Sequence, residues 1–84
     1  MGAVLLVVGA EDELIADVLA QAGEDDSVVV VDPCGARLLE VEKRLPDPRV
    51  WLLVGDAEVV PLPDRSVDRA FGLDSFPERE RVCR

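Results

Sequence analysis

Val4-Leu5-Leu6-Val7-Val8-Gly9 and, further along, Val28-Val29-Val30-Val31-Asp32 decide the fold of this chain. Each is an apolar run without a polar break, the pattern of a strand buried on both faces of a parallel sheet. Leu14, Ile15, Val18, Leu19 and Ala22 lie between them at helical spacing, and Gly23 is a natural stop. A strand–helix–strand unit with a glycine at its bend and an acid ending the second strand is the outline of a nucleotide-binding unit. The glycine lets the backbone approach a ligand, and the acid meets ribose hydroxyls. After Gly9, however, the turn reads Ala10-Glu11-Asp12-Glu13, acidic where such loops are usually glycine-rich.

Working outward, Glu24-Asp25-Asp26-Ser27 turns the chain into the second strand. Pro33 can open the next helix, with Asp32 near its N-terminus. Leu38, Val41 and Leu45 line one face of that helix, and Pro46-Asp47-Pro48 ends it. A third strand runs from residue 49 or 50 to 54, an irregular Pro/Asp-rich loop covers 60–66, and a shorter fourth strand is expected over 67–73. Strands alternating with helices imply parallel pairing through right-handed crossovers. The ligand crevice of such a sheet lies beyond the carboxyl ends of its strands. Gly9, Asp32 and Asp56 all fall there.

The chain has 84 residues, 49% of them hydrophobic, which suits one small globular domain over 1–84. Cys34 and Cys83 are too few for a disulfide framework and fit no metal-ligand spacing, and there is no histidine to serve as base or ligand. A net charge of −9 argues against nonspecific nucleic-acid binding, which needs lysine and arginine on phosphates. No apolar run approaches a membrane span, so a reducing, cytoplasmic setting is expected. The charge is unevenly spread: residues 1–35 hold no basic residue, and all 9 cations lie from Arg37 onward. The locally basic tail Arg79-Glu80-Arg81-Val82-Cys83-Arg84 reads as solvated charge, or as one side of a head-to-tail attraction between copies.

The stretch Gly55-Asp56-Ala57-Glu58-Val59-Val60-Pro61-Leu62-Pro63-Asp64-Arg65-Ser66-Val67-Asp68 resembles the third-strand exit and following loop of class I S-adenosylmethionine-dependent methyltransferases. That family carries a Gly-Asp-Ala-like turn and then a Pro-x-Pro-Asp-x-Ser-Phe-Asp-like stretch, with Val67 here in place of the phenylalanine. The resemblance extends upstream through residues 28–33 and 5–9. It implies a three-layer, Rossmann-like α/β fold: a parallel sheet of about four strands, order 3-2-1-4, flanked by helices. It further implies S-adenosylmethionine as cofactor. Asp32 would accept the ribose hydroxyls, Asp56 and the backbone of Ala57 would hold the adenine edge, and Gly9 and Ala10 would let the backbone approach the methionine part. Carboxylates and glycine suit these tasks chemically.

The chain departs from the family at three places. The acid usual two residues before the first glycine is Val7, and the next two glycines fall on Glu11 and Glu13, which would bring side chains and negative charge into the turn. Family members also continue through a fifth to a seventh strand that complete the substrate side. The expectation is therefore a truncated domain able to hold the cofactor but lacking most of the acceptor site, and not catalytic alone. No residue is a convincing general base.

Each residue also has a plainer role. Asp32 can be a helix N-cap, Asp56 a turn residue, and Glu11-Asp12-Glu13 a favourable charge on a helix dipole. Those three acids with Asp56 also match the layout of a receiver domain, where acids hold magnesium and a third-strand aspartate takes phosphate; Ser75 would be its hydroxyl, but the expected lysine is missing. Cys34 reads as buried or bystander, and Trp51 as core. Asp74-Ser75-Phe76-Pro77 faintly resembles a motif of amino-group methyltransferases. The alternative function is a non-catalytic interaction module that dimerises through the exposed edge of the fourth strand, or is completed by a partner chain.

Overall fold

In a computed structural model, which describes residues 2–56, 59–72 and 79–83, the apolar runs become neighbouring parallel strands. The elements are β1 (Val4–Val8), α1 (Asp12–Gln21), β2 (Ser27–Asp32), α2 (Gly35–Arg44), β3 (Val50–Val54), β4 (Arg69–Phe71) and α3 (Arg79–Val82). The sheet order is β3-β2-β1-β4, every pair parallel, as the family resemblance implied. In register, Val4 faces Ser27 and Val8 faces Val31, while Val28 faces Val50 and Asp32 faces Val54. The two unbroken valine-rich runs are thus the two central strands, where both faces need covering.

Alternation along those strands builds two cores. Leu5, Val7, Val28 and Val30 pack against Ile15, Val18 and Leu19 of α1 and Leu38 and Val41 of α2. Leu6, Val8, Val29 and Val31 face the other way, onto Val60, Val67, Ala70 and Val82. Helices thus cover one face, while the loop before β4 together with α3 covers the other. Truncating a fully buried leucine such as Leu6 leaves a cavity between the layers and is expected to cost about 3 kcal/mol.

Polar contacts secure the corners. Arg49 donates from Nη1 to the carbonyls of Ala22 (3.0 Å) and Gly23 (3.3 Å), closing the C-terminus of α1, and grips Asp47 through Nε and Nη2. Asp26 accepts the backbone N–H groups of Ala3 and Gly23, both at 2.8 Å. Arg44 reaches from α2 to Asp12 of α1 at 2.7 Å.

Three expectations need correction. The second helix begins at Gly35 with Cys34 as its N-cap, two residues after Pro33. The fourth strand is only three residues long, because Val67 makes a bridge to Cys83 before the strand proper begins. Trp51 is 61% exposed rather than core. It lies on the edge strand, in register with Val29 and so on the face away from α1 and α2; apolar composition alone does not show which strand is an edge.

Arg49 holds the Asp47 carboxyl down at about 2, by hydrogen bonds from its side chain and backbone, and backbone N–H donors lower Asp26 as well. Groups with depressed values stabilise the fold above their ordinary value of 3.8 and lose that contribution as pH falls toward the folded value. Melting temperature is therefore expected to be flat near neutrality and to fall between pH 4 and 2, with a shallower fall in Asp47→Asn. Circular dichroism melts across that range check it.

Candidate functional site

The carboxyl ends of β1, β2 and β3 meet at one rim, as the topology requires. The turn after β1 depends on Gly9, whose φ of +104° side-chain-bearing residues rarely adopt. Its N–H donates to Val31 O at 2.8 Å, tying the turn to β2, while a Cβ built on it would meet nothing within 4 Å. The glycine therefore faces open space where a ligand can approach the backbone.

Asp32 is 2% exposed and is the buried charged residue of the described core. Its Oδ2 accepts the N–H of Ala10 at 2.9 Å, and its Oδ1 accepts the N–H of Cys34 at 2.8 Å. One carboxylate so joins the turn after β1 to the entrance of α2. It caps that entrance from two residues before the N-cap itself. Arg37, in the first turn of α2, brings Nη1 to 3.6 Å from Oδ2, with its own side chain 58% exposed. Sequence reasoning missed Arg37; a cation one turn into the helix after the acid was the available signal.

A cleft of about 220 Å³ opens at this rim, lined by Val8, Gly9, Glu11, Val31, Pro33, Arg37 and Asp56. Asp32 lies behind its wall, between the lining residues Val31 and Pro33. Glu11 is the N-cap residue of α1 but makes no capping hydrogen bond through its side chain, which instead lines the cleft. Glu13 is exposed in the first turn of α1 and stands outside the lining, so one carboxylate rather than two enters the turn. Asp56 is exposed, and its carbonyl accepts the N–H of Val59 at 3.1 Å. The preceding residue, Gly55, donates to Asp32 O at 3.1 Å. Pro61 packs over Gly55 so closely that a Cβ there would lie 2.6 Å from Pro61 Cδ.

Gly9, Ala10, Asp32 and Asp56 are thus brought to one place, while Ala57 and the stretch Asp74-Ser75-Phe76-Pro77 lie outside the described residues. Among the described residues no group of three or more acids, cysteines or histidines is placed to hold a metal ion. A larger hollow of about 450 Å³ lies against Leu45, Pro46, Pro48 and Trp51, at the entrance of β3 and away from the rim. Cys34 is exposed.

A parallel sheet with a glycine bend and two acids at its carboxyl rim defines a Rossmann-like domain of the kind that binds nucleotide cofactors. The chain belongs to a methyltransferase family: the model described as "Methyltransferase domain" matches residues 6–82. It is similar to the structure of an S-adenosylmethionine-dependent methyltransferase from Aquifex aeolicus, at 25% identity and a TM-score of 0.76, covering 99% of this chain and 52% of that one. An arsenic(III) S-adenosylmethionine methyltransferase from Chlamydomonas reinhardtii is 26% identical with a TM-score of 0.66, over 96% of this chain and 33% of that one. The fold is shared too by a complex of the Haloferax volcanii Trm112 methyltransferase activator with a methyltransferase, at 16% identity and a TM-score of 0.76, covering 99% of this chain and 41% of that one. The chain spans about half the length of the first of these and less of the others. No curated protein sequence matches it.

Removing the Asp32 carboxylate would leave two backbone N–H groups without their acceptor. Asp32→Ala is expected to lose about 2 kcal/mol of stability, and Asp32→Asn less, because one oxygen still accepts. Chemical denaturation of the two variants beside the parent measures both.

Proposed function

We propose that this chain binds S-adenosylmethionine at the rim cleft and forms the cofactor half of a methyltransferase site. Gly9 and Ala10 give the methionine part access to backbone, Asp32 takes the ribose hydroxyls, and Asp56 with the backbone of Ala57 takes the exocyclic amine of adenine. The observation that carries the reading is a rim cleft lined by Gly9 and Asp56 and backed by Asp32, which lies just behind its wall between Val31 and Pro33. The residues fit the group. A carboxylate has about four acceptor positions, and the backbone uses two of those on Asp32. Arg37 must swing off Oδ2 for the ribose to reach the rest. The exposed Asp56 presents an acceptor to an amine donor.

When bound, the cofactor supplies a methyl group carried on a sulfonium. In direct transfer most of the acceleration is positioning, so the task of these residues is to fix the nucleoside and aim the sulfonium. Glu11 in the cleft places negative charge near a ligand that carries a sulfonium and an ammonium, while Arg37 offers the counter-charge for its carboxylate. A cleft of about 220 Å³ is below the usual 300–1,000 Å³ of complete small-molecule sites. The reading accordingly includes an acceptor side that this cleft does not supply and that a second copy or a partner completes, acting in the cytoplasm. An activator of the Trm112 kind is one candidate partner. Among the described residues no helix is long and apolar enough to cross a membrane.

A second reading, an interaction module without the cofactor, is favoured by the sheet edges. β4 pairs only with β1 among the described strands, and β3 presents Trp51 and Val54 more than 60% exposed. Isothermal titration with S-adenosylhomocysteine separates the two. Saturable binding, weakened about tenfold by Asp56→Asn, is expected from the first. A folded protein that shows no binding at millimolar ligand ends it. Sedimentation that stays monomeric over a wide concentration range counts against pairing of copies through an edge.

A further inference from the structure

The basic tail, read from sequence as solvated charge, holds the loop next to the adenine acid. Arg81 of α3 donates from Nη1 to Leu62 O at 2.7 Å and Asp64 Oδ1 at 2.8 Å, and from Nη2 to Val60 O at 2.8 Å. Its own carbonyl accepts the N–H of Arg65 at 2.7 Å. Arg65 has a φ of +54°, a left-handed conformation that costs energy for a residue with a side chain. The loop keeps this bend while one residue holds it at four points. Next to Arg81, Val82 is fully buried and its carbonyl takes the N–H of Val67 at 2.9 Å, so the clamp is anchored in the core.

The clamped segment is the one that folds back over the site. Pro61 sits between the two carbonyls Arg81 holds and packs on Gly55. Gly55 immediately precedes Asp56, and Asp56 is bridged to Val59, next to Val60. Gly55 and Asp56 are thus held against the segment from Val59 to Leu62, which Arg81 pins on its far side while β3 fixes Gly55 from the other. A guanidinium suits this task because its planar fork offers donors from two separate nitrogens at fixed spacing to two carbonyls and a carboxylate, whereas an ammonium offers its three donors from a single point.

We propose that Arg81 is a positioning residue for adenine recognition: by clamping Val60, Leu62 and Asp64 it sets Pro61 on Gly55 and holds Asp56 where it faces the exocyclic amine. This rests on the adenine role proposed for Asp56 above. The test is calorimetric titration of the full chain with S-adenosylhomocysteine and with S-inosylhomocysteine, which carries an oxygen where adenine has its amine. The parent is expected to prefer the adenine ligand by about tenfold or more, since an acceptor built for an amine rejects a carbonyl. Arg81→Lys, checked as folded by circular dichroism, is expected to lose most of that preference, with the adenine ligand weakened about tenfold and the inosine ligand little changed. Gly55→Ala, which displaces Pro61 from the other side, should have the same effect. A uniform drop for both ligands, or an unchanged ratio in both variants, overturns the inference and leaves the cofactor reading standing. Absence of binding to the parent overturns the cofactor reading and this inference with it.

Discussion

The rim of this domain depends on one buried charge. Asp32 ends a strand of valines in a place where water does not reach it, and its two oxygens are held by backbone N–H groups from different elements. Hydrogen bonds to a charged acceptor are stronger than neutral ones, and a buried carboxylate without them would be very costly. The carboxylate therefore dictates how the turn after β1 and the start of α2 approach each other. The cleft beside Gly9 follows from that approach, as does the placement of Arg37 above the acid.

The legible and illegible parts of this structure divide along a physical line. Periodicity reports burial averaged over an element, so β1, α1, β2, α2 and β3 could be read from apolar spacing, and the order 3-2-1-4 followed from the family resemblance. The strand ends carried Gly9, Asp32 and Asp56 to one rim because parallel topology leaves them no other place. Periodicity does not report position within the sheet. Trp51 stands in a run as apolar as those of the central strands, yet among the described strands β3 has a neighbour on one side only. Nor does a charge count show which arginine meets a carbonyl: Arg81 looks like any tail cation until Val60 and Leu62 are folded beneath it. β4 is shorter than its apolar run for a similar reason, since the pairing of Val67 with Cys83 is a long-range event.

The acidic turn after Gly9 turned out less crowded than its composition suggests. A helix starting at Asp12 sends Glu13 outward, and only Glu11 stays beside the cleft. Substituting acids for glycines in that loop therefore changes its electrostatics more than its shape. Asp12 is taken up by Arg44 across the helix pair, which removes a second negative charge from the rim. The chain has rearranged the charge of a glycine-rich turn while keeping the one glycine whose backbone angle cannot be replaced.

Trp51 has a consequence of a different kind. It is the chain's one tryptophan, there is no tyrosine, and it stands 61% exposed on the outer strand, remote from the rim. Its indole is largely in water already, so its emission is expected to shift only modestly when the fold is lost. Anything that covers the β3 edge removes that water and moves the emission to shorter wavelength. The protein thus carries an optical reporter at the flank of its sheet, away from the rim and sensitive to company.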